Sequence, residues 1–357
     1  MKYCSNCITA STRPEITINN KNICSACDFF QKKKKIFDFK KIINEIRKKP
    51  RAYDCLIPVS GGKDSTWQVY IVKKFGLNPL AVTYKTPLRT KIGQQNLDNL
   101  VQIGVDHIEY TVNPKIEKKF IKSAFIKKGI AALPMHMAMW AMCYNIASKF
   151  DIPYIFWGEN SAKEYSGTEK NSKLDLLDNS WIKKFGVNGN TKIKDWYSKE
   201  LTKKKLTPYL FDFSKKKDVK GIFLGDYFFW DPKKILKISK KLGFKYIKNS
   251  ARTGTYDFAD IDDYLISIHH FLKIYKFGFT RAFDNLSLEV RHGRLKRASA
   301  VKKANQDMKK IPKGDIKKFC NYIGISKKFF FQTCEKFRNK NIWSKVNGKW
   351  TLVNTLK

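Results

Sequence analysis

Between residues 53 and 157, apolar runs of four or five residues alternate with longer stretches whose apolar positions recur every three or four. The runs at 55–59, 80–84, 108–112 and 154–157 read as buried strands. The stretches 66–75, 92–103, 116–127 and 135–149 carry helical spacing. Strands that alternate with helices predict a parallel sheet covered on both faces, an α/β, Rossmann-like architecture. A fifth strand is expected at 222–224, leading through Gly225-Asp226-Tyr227 to a helix that ends near Gly243. Asp231 suits that helix as N-cap and Pro232 its first turn. Beyond residue 248 the pattern is helical, at 260–275, 295–307, 313–323 and 326–339. The expected organisation is a zinc-ribbon module at 1–30, a basic linking helix at 31–50, and a sheet domain at 51–247. A helical region for substrate or partner follows at 248–357. Residues 160–220, polar, rich in lysine and broken by Gly167, Gly186 and Gly189, read as an insertion or lid in the sheet domain.

In such sheets ligands sit beyond the carboxyl ends of the strands, where the strand order reverses. The Ser60 loop, Tyr84 and Gly158-Glu159 all fall at such ends. Ser60-Gly61-Gly62-Lys63-Asp64-Ser65 joins strand to helix. Small residues at a helix mouth leave N–H groups free to surround phosphate oxygens, and the helix dipole adds partial positive charge. Ser60 and Ser65 add hydroxyls, and Lys63 adds charge. Asp64 stands where the G-x-x-x-x-G-K-[ST] loop requires Ser or Thr, and that pattern's first glycine is missing. The segment resembles instead the pyrophosphate loop (PP-loop) of the ATP pyrophosphatases. An ordinary Gly-Gly turn would show the same letters without the function.

Cys4, Cys7, Cys24 and Cys27 form C-x2-C-x16-C-x2-C, the spacing of a four-thiolate structural zinc site whose spacer is long enough for a hairpin. Cys55, Cys143, Cys320 and Cys334 are isolated and read as buried small hydrophobes. The formal charge of +40 is almost all lysine, scattered along the chain. It reads as a solvated surface attractive to anionic ligands, and nucleic acid is not expected as a partner. The apolar stretch 130–147 carries His136 and Asn145 and reads as a buried helix, not a membrane span. With no signal peptide in view, a cytoplasmic protein is expected.

Further segments extend the resemblance: Ile92-Gly93-Gln94-Gln95-Asn96-Leu97, Trp157-Gly158-Glu159-Asn160, Gly225-Asp226-Tyr227 with Trp230-Asp231, 276–282, and Arg291-His292-Gly293-Arg294. With the cysteine module and the Ser60 loop, they resemble the N-acetyl sugar amidotransferases of bacterial surface-polysaccharide synthesis. That family makes acetamidino sugars for lipopolysaccharide O-antigen or for nonulosonic acids such as pseudaminic and legionaminic acid. Residues 84–87, Tyr-Lys-Thr-Pro, depart from the more acidic or Asn-containing stretch expected there, and the insertion is unusually basic.

The resemblance implies that AMP is transferred from ATP to an acetamide oxygen. Ammonia then attacks, AMP leaves, and an amidine remains. ATP, Mg2+ and a structural Zn2+ are the implied cofactors. Ser60, Gly61, Gly62, Lys63, Asp64, Ser65, Tyr84 and Gly158 are the expected ATP contacts, and Lys63, Asp64 and Glu159 the catalytic candidates. Asp64 would hold magnesium or order the loop, or else cap its helix through Ser65 and Thr66. Glu159 would bind metal or orient the acceptor, or be a plain surface carboxylate. Asn96, Asn160, Arg281, Arg291 and Arg294 are the expected contacts to a nucleotide-linked acetamido sugar. Guanidinium binds phosphate or carboxylate bidentately, although solvated helix faces would also display arginines. His269 and His270 read as packing or capping residues. Position 2 is lysine, and no isolated cysteine sits in a glycine-flanked elbow. Ammonia is therefore expected from a separate glutaminase subunit, a pair similar to that of imidazole-glycerol-phosphate synthase. Two rival readings stay open: a tRNA thiolation enzyme served by a sulfur carrier, and a non-catalytic ATP-binding zinc module.

Overall fold

The computed structural model describes residues 1–32, 37–167, 191–210 and 219–357. Helix α1 (Ser25–Gln31) closes the cysteine module, and α2 (Phe39–Arg47) is the first element laid on the sheet. The expected linking helix is thus realised over nine residues; positions 33–36 lie outside the described residues. Strands β1 (Cys55–Pro58), β2 (Pro79–Tyr84), β3 (Asp106–Tyr110), β4 (Tyr154–Trp157) and β5 (Lys220–Phe223) pair in parallel in the order β3-β2-β1-β4-β5. The chain builds outward from β1 to one edge, then returns to lay β4 on its other side. The order therefore reverses between β1 and β4, and the loops leaving these two strands open a crevice there.

Successive side chains on a strand point to opposite faces, which splits the sheet's apolar residues between two cores. Leu56, Ile155 and Trp157 face α5 (Pro114–Lys128) and α6 (Leu133–Lys149). Ile57, Tyr154 and Phe156 face α2, α3 (Lys63–Lys74), α4 (Lys91–Val101) and α7 (Pro232–Lys241). Asp231 caps α7 with Pro232 in its first turn, as the local signals require. Of the expected insertion, 168–190 and 211–218 lie outside the described residues. Residues 191–210 are core material: Trp196 and Tyr209 pack on Phe120 with ring centroids 5.3 and 5.0 Å apart.

Helix α5 is two-sided. Phe120 and Ala124 enter the sheet core, while Ile121 and Phe125 enter a second core with α8 (Leu265–Phe277), α11 (Lys313–Ile323) and α12 (Lys327–Lys336). Helices α9 (Arg281–Arg291) and α10 (Arg297–Asp307) pack instead with Ile8 and Ala10 of the cysteine module. The helix expected from 260 begins only at Leu265, with Tyr264 as N-cap and the Asp263 carboxylate accepting from the Leu265 N–H. Residues 260–264 are freed as a loop. At the end of the chain an unforeseen hairpin, β6 (Trp343–Val346) and β7 (Lys349–Leu352), turns at Asn347-Gly348, both at positive φ. The cysteine spacer holds single bridges, Tyr3 with Ala10 and Ile18 with Cys24, where a hairpin ladder was expected.

Glu117, in the first turn of α5, is 2% exposed and its Oε1 finds no hydrogen-bond donor among the described residues. Burial, with the Asp263 charge adding, pushes its carboxyl from 4.5 up to about 8. The folded state therefore keeps a proton that the unfolded chain releases, and stability falls as pH rises from about 4.5 through about 8. Glu117→Gln should leave stability little changed at pH 5 and raise it by roughly 1–3 kcal/mol at pH 9, measured by urea denaturation. An equal effect at both pH values would show that the carboxyl is not held protonated.

Candidate active site

The loops leaving β1 and β4 line a cavity of about 380 Å3 at the reversal of strand order. The Ser60 loop forms its floor and runs into α3, with Gly62 as N-cap in extended geometry. Gly61 sits at φ 84°, and a Cβ there would lie 2.6 Å from the Leu97 nitrogen and 2.7 Å from the Gly93 carbonyl oxygen. Only glycine lets α4 press so closely on the loop. The loop is internally braced. Ser60 Oγ accepts from the Gly62 N–H (3.2 Å), while Ser65 and Thr66 hydroxyls donate to the Gly62 carbonyl (2.9 and 3.2 Å).

Asp64 does not cap α3. Its Oδ2 takes the Lys63 ammonium at 2.5 Å, and its Oδ1 has no hydrogen-bond partner among the described residues. Lys63 is buried, its carbonyl held by Ser239 Oγ of α7 at 2.7 Å and its ammonium 5.8 Å from the Phe258 ring centre. Glu159 follows β4 into the same cavity, where burial pushes its carboxyl up to about 7 despite the opposing pull of Arg281. Its Oε1 is likewise unpartnered among the described residues. Tyr84, at the end of β2, lines the wall with its hydroxyl unpartnered in the same sense. Gly158 serves packing: a Cβ would come within 3.0 Å of Gln68 Oε1 and 3.2 Å of Trp230, and its carbonyl accepts from the Gly225 N–H at 3.1 Å.

The other wall comes from the carboxyl-terminal region. Tyr256, Phe258, Asp260, Asp262, Asp263 and Arg281 all line the cavity. Sequence reading missed the three aspartates because it placed Asp260 inside a helix. The available signal was Asp260-Ile261-Asp262-Asp263 itself, four residues too acidic for a lysine-rich chain's helix face. Asp260 accepts from Thr253 Oγ1, and His270 Nε2 and Arg281 Nε stand 3.4 and 3.7 Å from it. These neighbours hold it well below the usual carboxylate range against the cost of burial. Asp262, beside Ser60, is pushed up to about 6 by burial and the neighbouring Asp263 and Asp260 charges.

The remaining candidates are committed elsewhere. Asn96 both donates to the Lys245 carbonyl and accepts from the Lys245 N–H, each at 2.8 Å, which braces α4. Asn160 donates to both oxygens of Asp226, whose Oδ1 also takes Lys163 Nζ at 2.8 Å. Arg291 donates to the Glu164 carbonyl and lies in the field of the cysteine cluster. Arg294 grips Glu289 through two nitrogens and Asp231 through a third, at 2.9–3.0 Å. Asn96, Asn160, Arg291 and Arg294, the expected substrate contacts, are thus tied to the fold by these bonds and do not line the cavity. Of the three arginines only Arg281 faces the cavity. His269 and His270 are buried packing groups, held well below their ordinary values by desolvation.

Five carboxylates line this cavity, Asp64, Glu159, Asp260, Asp262 and Asp263, against the cations Lys63 and Arg281. A polyphosphate brought into such a field needs a divalent cation between the like charges. The unpartnered oxygens of Asp64 and Glu159 are hard donors suited to Mg2+. The four amino-terminal cysteines make a separate cluster. All are fully buried and their sulfurs lie within 4.8 Å of one another. Sulfur pairs at 3.9 Å (Cys4–Cys27) and 3.7 Å (Cys7–Cys24) match the edge of a thiolate tetrahedron around zinc. The Cys24 and Thr9 N–H groups donate to sulfurs of Cys4 and Cys7. The cluster could bind zinc, with no position open for catalysis. Burial pushes the thiols of Cys55, Cys143, Cys320 and Cys334 upward.

No helix among the described residues is long and apolar enough to cross a membrane. Residues 250–357 match the family model described as LPS biosynthesis protein WbpG-like, C-terminal domain. An uncharacterized protein of Methanocaldococcus jannaschii is 32% identical over 108 residues, 28% of this chain and 38% of the relative's length. The chain thus spans well under half of the curated relative it matches. Among solved structures, NMN synthetase from Francisella tularensis is similar at 15% identity, covering 79% of this chain and 92% of its own, with a TM-score of 0.38. A predicted subunit of tRNA methyltransferase from M. jannaschii is similar at 18% identity, covering 61% and 87%, with a TM-score of 0.31. The fold is an α/β parallel sheet of five strands, preceded by a four-cysteine cluster and followed by a helical carboxyl-terminal region with the WbpG-like match.

Proposed function

We propose that this protein is an ATP-dependent amidotransferase that turns the acetamido group of a nucleotide-linked sugar into an acetamidino group for surface-polysaccharide synthesis. The observation that carries the reading is the meeting of the Ser60 loop with Glu159, Asp262 and Arg281 in one cavity, at the sheet's switch point. The WbpG-like match supports the polysaccharide setting, since it supplies that cavity's second wall.

In this reading the acetamide oxygen attacks the α-phosphorus, the bond to pyrophosphate breaks, and an O-adenylated imidate forms. Ammonia adds to the activated carbon, AMP departs with the oxygen, and the nitrogen's surplus proton is lost to leave the amidine. N–H groups of the Ser60 loop and the Lys63 ammonium receive charge as pyrophosphate leaves. Asp64, Glu159 and Asp262 would hold Mg2+, which when bound neutralises the phosphates against the carboxylates. Arg281 orients the acceptor or its leaving phosphate. Ammonia comes from a separate glutaminase, a proposal supported by the burial of every isolated cysteine. The same burial leaves no isolated cysteine placed as a reactive thiol, which counts against thiolation through a cysteine pair but not against thiolation served by a sulfur carrier.

Incubation with ATP, ammonium and candidate nucleotide-linked acetamido sugars should yield AMP, pyrophosphate and a sugar in which NH replaces O, read by mass spectrometry. Ser60→Ala and Asp64→Asn should each abolish AMP formation with metal content unchanged. ADP with orthophosphate as the released pair would overturn the mechanism, and modified tRNA would overturn the substrate.

Glu159 supplies a pH test. Its carboxyl is raised to about 7, so it keeps its proton at pH 6 and is ionised at pH 8. Metal-holding needs the ionised form, so affinity for the magnesium complex of a non-hydrolysable ATP analogue should rise about tenfold over that range. Glu159→Gln should bind weakly and lose this dependence in calorimetry; an identical slope in the variant would remove Glu159 from the metal site.

A further inference from the structure

A second cavity, of about 360 Å3, lies in the carboxyl-terminal region and is open to solvent. It is separate from the ATP cavity but shares a wall with it. Thr253, His270 and Arg281 line the second cavity, and all three address Asp260, which lines the first. Arg281 lines both.

The two cavities have opposite polarity. Where the ATP cavity sets five carboxylates against two cations, this one presents Arg252, Arg281 and Lys310 against the single carboxylate Asp307, which pairs with Lys310 at 3.1 Å. Carboxylates outside the lining hold the two guanidiniums from behind. Arg252 Nη1 donates to both oxygens of Asp315 at 3.1 Å, and Arg281 Nη1 pairs with Asp284 Oδ2 at 3.1 Å. Arg252 Nε has no hydrogen-bond acceptor among the described residues, and Arg281 Nε stands 3.7 Å from the Asp260 carboxylate without a hydrogen bond. Guanidinium nitrogens only donate, so the complementary group must bring acceptor oxygens. Two further features favour negative charge. Thr280 and Arg281 open α9 on the cavity, so the positive end of an eleven-residue helix faces it. The Thr280 hydroxyl oxygen accepts from the Ala282 N–H, which leaves its proton to donate. Ala251, Phe271, Ile274, Ile311 and Pro312 give the cavity an apolar side on which a base or sugar ring can rest.

We propose that this second cavity seats the diphosphate of the nucleotide-linked acceptor, with Arg252, Arg281 and Lys310 as its ligands. The assignment rests on the amidation reading above for the acceptor's identity, and adds where and by which groups it is held. Cation-rich walls let a diphosphate bind without the metal that the neighbouring cavity requires. Arg281, reaching both, couples a filled acceptor cavity to the nucleotide one.

Calorimetry on the full chain, saturated with magnesium and a non-hydrolysable ATP analogue, tests this with uridine, cytidine and guanosine diphosphates as probes. At least one should still bind. Lys310→Glu, at a side chain 68% exposed, should weaken it about tenfold or more, with the melting temperature reporting any damage from the lost Asp307 pair. Arg252→Gln should do the same, with the melting temperature reporting any damage from the lost Asp315 pair. Nucleotide-analogue affinity should be unmoved in Lys310→Glu. Equal diphosphate binding by wild type and Lys310→Glu overturns the proposal, as does binding that the ATP analogue abolishes. Binding of free glucuronate but of no diphosphate also overturns it. Because no turnover is measured, failure to form AMP with any acceptor would sink the amidation reading while leaving this result intact.

Discussion

Asp284 is the fixed point on which the remaining geometry depends. It is 4% exposed, and its two oxygens take guanidiniums from different parts of the chain: Arg13 of the cysteine module on one, Arg281 on the other. Burying an ion costs several kcal/mol unless partners repay it at close range. Here the partners belong to segments already joined by an apolar core of Ile8, Ala10, Phe283 and Leu286, so the charge adds a fixed register to that docking. The Thr9–Ser287 hydrogen bond and Arg297, which donates to the Cys4 and Cys7 carbonyls, reinforce the same seam. Arg281 then carries the constraint onward to Asp260 and into the cavity at the switch point. The cysteine module thus fixes a residue that faces the cavity, although none of the module's own residues lines it among the described residues.

That arrangement explains what could be read from the letters and what could not. The Ser60 loop was legible because its chemistry is local: a glycine at positive φ, a helix mouth, two hydroxyls within six residues. The switch point followed from the order of strands and helices. The cysteine module was legible from spacing alone. The arginines misled, because in a chain that otherwise uses lysine an arginine marks fixed bidentate geometry without saying for whom. Arg291 and Arg294 spend that geometry on Glu164, Glu289 and Asp231, and only Arg281 turns toward ligand space. Asn96 failed for a related reason: an amide that satisfies one backbone N–H and one carbonyl looks in sequence like an amide that reads a ligand. Asp260, Asp262 and Asp263 were hidden by helical periodicity that ran through them, and only the Asp263 bond to the Leu265 N–H shows where the helix begins.

The formal charge of +40 takes on a different meaning beside these cavities. Exposed charges are screened beyond about 8 Å at physiological ionic strength, so scattered lysines can raise the local concentration of anions but cannot position one. Positioning requires charges that are desolvated and held. At the two cavities these are Lys63 against Asp64 in the first, and Arg252 and Arg281 against carboxylates beside the second. A nucleic-acid surface would spread such held cations along a face. Here such cations stand at two adjoining cavities that share one wall, which on the proposed reading would suit two small anionic molecules. On that reading the surplus lysine would concentrate both molecules around the site, and the opposite polarity of its walls would decide which one enters where.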